Sequence, residues 1–142
     1  MSDSPDELIR TIGQAFVDAA PREWTEGKIV YRRAGKTAEY QETAVLPDGR
    51  VVGVDAGRGA AKAFKELRRL MYQPGKGTWF TAVCTLYPDG RTTFDFDFDN
   101  EPEWASPTVA GHYVEDVEQY PRDDEHTPDW LRQRLAEATK GN

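Results

Sequence analysis

Apolar residues recur along this chain with two periods, and the change from one to the other marks out helices and strands. Leu8, Ile9, Ile12, Phe16, Ala19 and Ala20 are spaced by three and four, the stripe of an amphipathic helix. Ser4 is its N-cap, Pro5 its first position, and Asp6 and Glu7 are acids where a helix N-terminus favours them. Pro21 stops it, having no N–H to give. Residues 23–34 read as a strand with Trp24, Ile29, Val30 and Tyr31 as apolar members, and Gly35-Lys36 turns the chain into a second strand over 37–46. Pro47-Asp48-Gly49-Arg50 is a tight turn, and Val51, Val52 and Val54 make a third strand. Asp55 opens a second helix. Its inward stripe is Ala60, Ala61, Phe64, Leu67, Leu70 and Met71, and its wet side is Lys62, Lys65, Arg68 and Arg69. Residues 74–77, Pro-Gly-Lys-Gly, end it.

The second half opens with a strand over 78–87, more apolar than the others. Pro88-Asp89-Gly90-Arg91 then repeats the earlier turn, and two such turns between strands predict antiparallel meanders. In residues 92–99, Phe94, Phe96 and Phe98 alternate with Asp95, Asp97 and Asp99. A period of two puts the rings on one face and the carboxylates on the other. Three like charges on one face repel each other, which weakens the strand unless a cation or partner compensates. Val109, Tyr113, Val114, Val117 and Tyr120 predict a short helix within 107–120, residues 121–126 a charged loop, and Thr127-Pro128-Asp129 the start of a last helix with Trp130, Leu131 and Leu135 inward. The pattern predicts an α+β fold. An antiparallel sheet of four to six strands is packed by an N-terminal and a central helix, with short C-terminal helices.

Length and composition add bounds. At 142 residues, with 38% hydrophobic and 11% aromatic content, the chain reads as one domain over 1–142 with a real core. No run approaches the roughly 18 apolar residues of a membrane span. The acidic start, Met-Ser-Asp-Ser-Pro-Asp-Glu-Leu, is unlike a signal peptide. A lone cysteine, Cys84, excludes an internal disulfide and fits a reducing compartment, so the cytoplasm is expected. The net charge of −7 disfavours nonspecific nucleic-acid binding. Its distribution says more: residues 95–129 hold twelve acids against a single base, Arg122, while the rest of the chain is slightly basic.

Candidate catalytic chemistry is thin. His112 and His126 are the two histidines, neither beside a nucleophile motif, and no GxSxG, HExxH, CxxC or phosphate-cradling glycine loop occurs. Gly57-Arg58-Gly59 lacks the Lys-Ser/Thr of a phosphate loop and reads as a helix cap; Cys84 reads as a buried small hydrophobe. Asp95, Asp97, Asp99 and Glu101 have calcium-loop residue types, but intervening phenylalanines hold the run extended, with carboxylates roughly 6.5–7 Å apart and too dispersed for one ion. A small metal-binding protein or hydrolase using Asp95, Asp97 and Asp99 remains the alternative. No cofactor is implied.

The bland reading of the acidic face is a solvated strand edge. Against it, acids continue through Glu101, Glu103, Glu115, Asp116, Glu118, Asp123, Asp124, Glu125 and Asp129, among Trp104, Tyr113, Tyr120 and Trp130. Tyr113 and Trp130 read as core and Trp104 as an exposed anchor. Acid with aromatics suits a basic protein surface, where charge steers encounter.

Two blocks carry a family resemblance: WFTAVCTLYPDGRTTFDFDFDNEPEW over 79–104 and YVEDVEQYPRDDEHTPDWL over 113–131. Together they resemble the YezG-like immunity proteins of bacterial polymorphic toxin systems; the first half shares only an order of helix, strands, helix. The resemblance implies a protein that neutralises a cognate toxin domain, commonly a nuclease, with no catalysis of its own. The expected contacts are Asp95, Asp97, Asp99, Glu101 and Glu103 with Trp104 as anchor. Glu115 and Asp116 extend them, and Asp123, Asp124 and Glu125 form the rim.

Overall fold

Among the described residues, 4–140 (Lys140 by its backbone), the computed structural model contains four helices and a five-stranded antiparallel sheet. Helix α1 (Pro5–Ala19) is followed by strands β1 (Glu26–Ala34), β2 (Thr37–Val45) and β3 (Val51–Gly53), then by helix α2 (Gly57–Leu70). Strands β4 (Thr81–Leu86) and β5 (Thr92–Asp97) come next, then helices α3 (Gly111–Gln119) and α4 (Asp129–Lys140). The strands lie in the order β3-β2-β1-β4-β5, so β3 and β5 are the edges. This is the α+β class that the periodicity predicts. None of these helices is long and apolar enough to cross a membrane.

The chain groups into two compact units. The first is the chain up to Val30 with Tyr40–Leu70 and Val83–Asp95. Here Ser4 Oγ accepts from Glu7 N–H at 3.2 Å to cap α1, and the backbone turns extended at Ala20, just before Pro21. Leu8, Ile12 and Phe16 of α1 are buried, and α1 packs on α2. The Phe16 ring meets Trp24 edge-on at 5.4 Å and lies so close to β1 that a side chain at Gly27 would collide with it. Asp55 Oδ1 accepts from Gly57 N–H at 2.9 Å, as its place before α2 predicts.

The buried stripe of α2 is Ala60, Ala63, Phe64, Leu67 and Arg68, whereas Ala61, Leu70 and Met71 are half-buried. Arg68 therefore does not belong to the wet side: it is 1% exposed. The spacing i, i+3, i+4, i+7, i+8 is a full helical stripe, and Arg68 takes its last place. In β4, Ala82, Cys84 and Leu86 alternate inward. Burial pushes the Cys84 thiol up to about 12, leaving it an inert small hydrophobe. The two recurrent turns are chemically the same. Asp48 takes Arg50 N–H at 3.0 Å and its Nε at 2.7 Å; Asp89 takes Arg91 N–H at 3.0 Å and its Nε at 2.8 Å. Turn chemistry alone thus accounts for the repeated tetrapeptide.

The second unit is Tyr31–Glu39, Met71–Ala82 and the chain from Phe96 onward. Its core is Ala34, Phe80, Tyr113 and Leu131, with Trp104, Val117, Trp130 and Leu135 packed against them. Phe80, Tyr113 and Trp130 meet edge-on, with centroids 5.4–6.1 Å apart, an arrangement that suits the ring quadrupoles. The β1–β2 turn presses on α3: Gly35 has φ 57, and a Cβ there would stand 2.5 Å from the His112 carbonyl oxygen.

Several boundaries differ from those the periodicity predicts. The first strand starts at Glu26 rather than 23, and β4 at Thr81 rather than 78. Helix α3 starts at Gly111 rather than 107. Ahead of it, Glu39 takes the N–H groups of Ala105 at 2.8 Å and Ser106 at 3.1 Å and holds that stretch irregular.

Candidate protein-binding surface

The acidic strand is shorter than its alternation predicts. Phe94 packs on Phe64 at 6.2 Å in the first unit, and Phe96 on Trp79 at 5.5 Å in the second, so the aromatic side is as expected. Asp95 is exposed on β5. Asp97, however, turns back on its own chain. Its Oδ1 accepts from Asp99 N–H at 3.1 Å and Asn100 N–H at 3.0 Å, and both oxygens receive the Asn100 amide. Burial works against its charge, but these donors outweigh it and hold the carboxyl below its usual range. A local aspartate turn thus follows the last strand residue, whose own carbonyl still accepts from Phe80 N–H at 2.9 Å. Asp99 therefore leaves the ladder, and its carbonyl accepts from Trp130 Nε1 at 2.7 Å.

Past this turn, several of the acids are structural. Glu101 receives Arg134 through two bonds, 2.7 and 3.1 Å, and Arg134 also holds Glu137 at 3.1 Å. These two carboxylates raise the Arg134 pKa. Asp116 is 2% exposed and accepts from Gly35 N–H at 3.0 Å, so it is no surface contact. Glu115 accepts from Lys36 N–H at 3.1 Å and meets His112 Nδ1 at 2.8 Å; the histidine, then the backbone donor, lowers its pKa. Together Glu115 and Asp116 fasten the β1–β2 turn to α3. Asp123 caps the 3-10 turn Asp124–His126, taking His126 N–H at 3.2 Å and meeting His126 Nδ1 at 2.6 Å.

Trp104 is not the exposed anchor that its setting predicts. It is half-buried against the aromatic core, and its Nε1 donates to Tyr113 Oη at 2.9 Å. Tyr113 and Trp130 belong to that core as expected. Tyr120 is half-buried against Tyr72, with centroids 5.4 Å apart.

Three residues outside the expected set organise this surface. Arg122 donates to the carbonyls of Thr78 at 2.9 Å, Phe98 at 2.7 Å and His126 at 3.0 Å, and lies over the Phe80 ring at 4.9 Å. Its solitude among twelve acids was a signal in the sequence that it was not there for bulk charge. Glu39 and Arg134 gave no comparable signal, because their partners lie 66 and 33 residues away.

Asp99, Glu103, Glu118, Asp124, Glu125 and Asp129 remain exposed. Among the described residues, Asp123, Glu125 and His126 bring potential ligand atoms within 4.8 Å of one another. Asp123 Oδ1 is already engaged by His126, so an ion would have to displace that contact. Asp95, Asp97 and Asp99 are not gathered in this way. No model of a known protein family matches the chain, and it has no match among curated proteins.

Proposed function

We propose that the protein is an immunity protein of the YezG-like kind. It binds a basic toxin domain, a nuclease by the resemblance, and neutralises it in the cytoplasm without catalysis of its own. The observation that carries this reading is the division among the acids of the second unit. Glu101, Glu115, Asp116 and Asp123 are spent on internal bonds, yet Asp99, Glu103, Asp124 and Glu125 stay exposed in the same stretch of chain. Architecture accounts for the first set and leaves the second for solvent or a partner. Exposed like charge speeds encounter with a basic surface and makes binding salt-sensitive.

The test is capture from the native source at low salt, followed by washes of rising ionic strength. The recovered protein is then expressed with and without this chain. A basic partner that elutes with salt, and whose growth arrest this chain relieves, supports the reading. Replacing Asp99, Glu103, Asp124 and Glu125 by their amides should weaken that complex and flatten its salt dependence. Unchanged affinity would move the interface elsewhere, and a partner whose toxicity is not relieved would sink the immunity reading.

A metal-binding protein is the second reading, and the Asp123, Glu125 and His126 cluster is what favours it. Calorimetric titration with Ca²⁺, Mg²⁺ and Mn²⁺ separates the two, micromolar uptake of one ion favouring this alternative.

A further inference from the structure

In the second unit, a recess of about 460 Å³ opens between the segment that carries Trp104 and helix α4. Trp104, Pro102 and Pro107 supply apolar wall, and Glu101, Glu103, Glu137 and Arg134 supply charge. Ala110 and Glu137 also border a second recess of about 630 Å³, lined by Val109 and by the half-buried Val114 and Ala138. Val109, 66% exposed, lines that wider recess.

We propose that this paired groove docks a basic, aliphatic-flanked segment of the protein's partner. The idea rests on the immunity reading for the partner's identity, though the groove's chemistry stands by itself. Charge chooses the occupant. Three carboxylates face one guanidinium, and Arg134 is already shared between Glu101 and Glu137, which leaves Glu103 exposed and in excess. An acidic or purely apolar segment would cover Glu103 without compensating it, which is unfavourable. A lysine or arginine would meet Glu103 and lie against the indole of Trp104, the best aromatic partner for a cation. An aliphatic neighbour would then cover Val109. The wall is already formed: the Trp104 bond to Tyr113 and its packing on the core fix the ring before anything binds. Little ordering entropy is lost on docking for that reason.

The test uses the ¹⁵N-labelled full chain and three capped tetrapeptides: Arg-Val-Arg-Val, Arg-Ser-Arg-Ser and Glu-Val-Glu-Val. Arg-Val-Arg-Val should shift the Trp104 indole N–H and the Val109 and Glu103 amides together and saturably, with the other two peptides weaker. Glu103→Gln and Val109→Ser alter exposed side chains and should each weaken it roughly two- to fivefold. Displacement of the peptide by the captured toxin would complete the assignment. Absent shifts at Trp104, or equal shifts with Glu-Val-Glu-Val, would overturn the groove and leave the immunity reading intact. Groove shifts without any toxin that this chain neutralises would overturn the immunity reading instead and retain the groove as a site for basic segments.

Discussion

Each unit is stabilised internally by different physics. In the first, the buried residues of the two packed helices are mostly apolar, Leu8, Ile12 and Phe16 of α1 and Ala60, Ala63, Phe64 and Leu67 of α2, with Arg68 a charged exception, and the strand turns at Asp48 and Asp89 satisfy themselves locally. In the second, an aromatic cluster is tied in place by charged side chains reaching distant backbone. Arg122 holds three carbonyls, Asp116 holds Gly35, and Glu39 holds Ala105 and Ser106. Apolar packing needs volume and little orientation. Polar fastening needs each partner in place, because a buried group left unpaired is expensive. The second unit therefore uses much of its charge as architecture, and the remainder, such as Glu103 and Asp124, faces solvent.

The largest expected effects test that contrast directly. Phe16→Ala removes a fully buried ring and should destabilise the chain by about 3–5 kcal/mol. Arg122→Met keeps the aliphatic stem over Phe80 but abandons three carbonyls, and should lose about 2–3 kcal/mol. Urea unfolding gives both values, and amide exchange tells where each loss falls. Phe16→Ala should expose first-unit amides foremost, and Arg122→Met those around Thr78, Phe98 and His126. If Arg122→Met unfolds no earlier than the parent, polar fastening is not what holds the second unit.

The same contrast explains what was legible in the sequence. Helix α1, with Ser4, Pro5 and Pro21, could be read almost to the residue, because a helix start and stop are local chemistry. The two turns at Asp48 and Asp89 were equally readable. The second unit resisted because many of its determining bonds, such as Arg122 to Phe98 and Asp116 to Gly35, span 24 to 81 residues and leave no period. Alternation places Asp97 in the strand correctly but cannot reveal that its side chain bends back onto its own backbone and ends the ladder before Asp99. Trp104 looked exposed because its neighbours are polar, while the residue that hides it, Tyr113, is nine positions on.

Asp116 is the instructive miss. It stands three residues after Tyr113, on the inward stripe of α3, so helical spacing already placed it inside. Its charge argued for the surface, and the spacing was the better guide. Asp116→Ala strands the buried Gly35 N–H and should cost about 1–3 kcal/mol. Asp116→Asn keeps an acceptor and should lose less. Equal losses in the two, measured by urea unfolding, would show that Asp116 acts by filling space.

The smallest effect is the finest version of the comparison, because it sits on one strand. Glu39 and Glu42 both lie in β2, one in each unit. At Glu39, burial opposes the charge, but the Ala105 and Ser106 N–H groups and Arg32 outweigh it, so its pKa falls below 4.5. At Glu42, burial wins over the Ala56 N–H, and nearby Asp55 adds to it, so its pKa rises above 4.5. A lowered carboxyl stabilises the fold above its unfolded value and loses that contribution as pH falls through the folded one. A raised carboxyl does the opposite: it weakens the fold as pH climbs from the unfolded value through the folded one. At neutral pH, Glu39→Gln should therefore destabilise and Glu42→Gln stabilise, each by at most about 1 kcal/mol. Both should converge on the parent as the pH drops below 4.5 and the carboxyls protonate. Urea midpoints across that range read the pair directly. Shifts of the same sign at neutral pH would mean that the two units do not treat a charge on a shared strand differently.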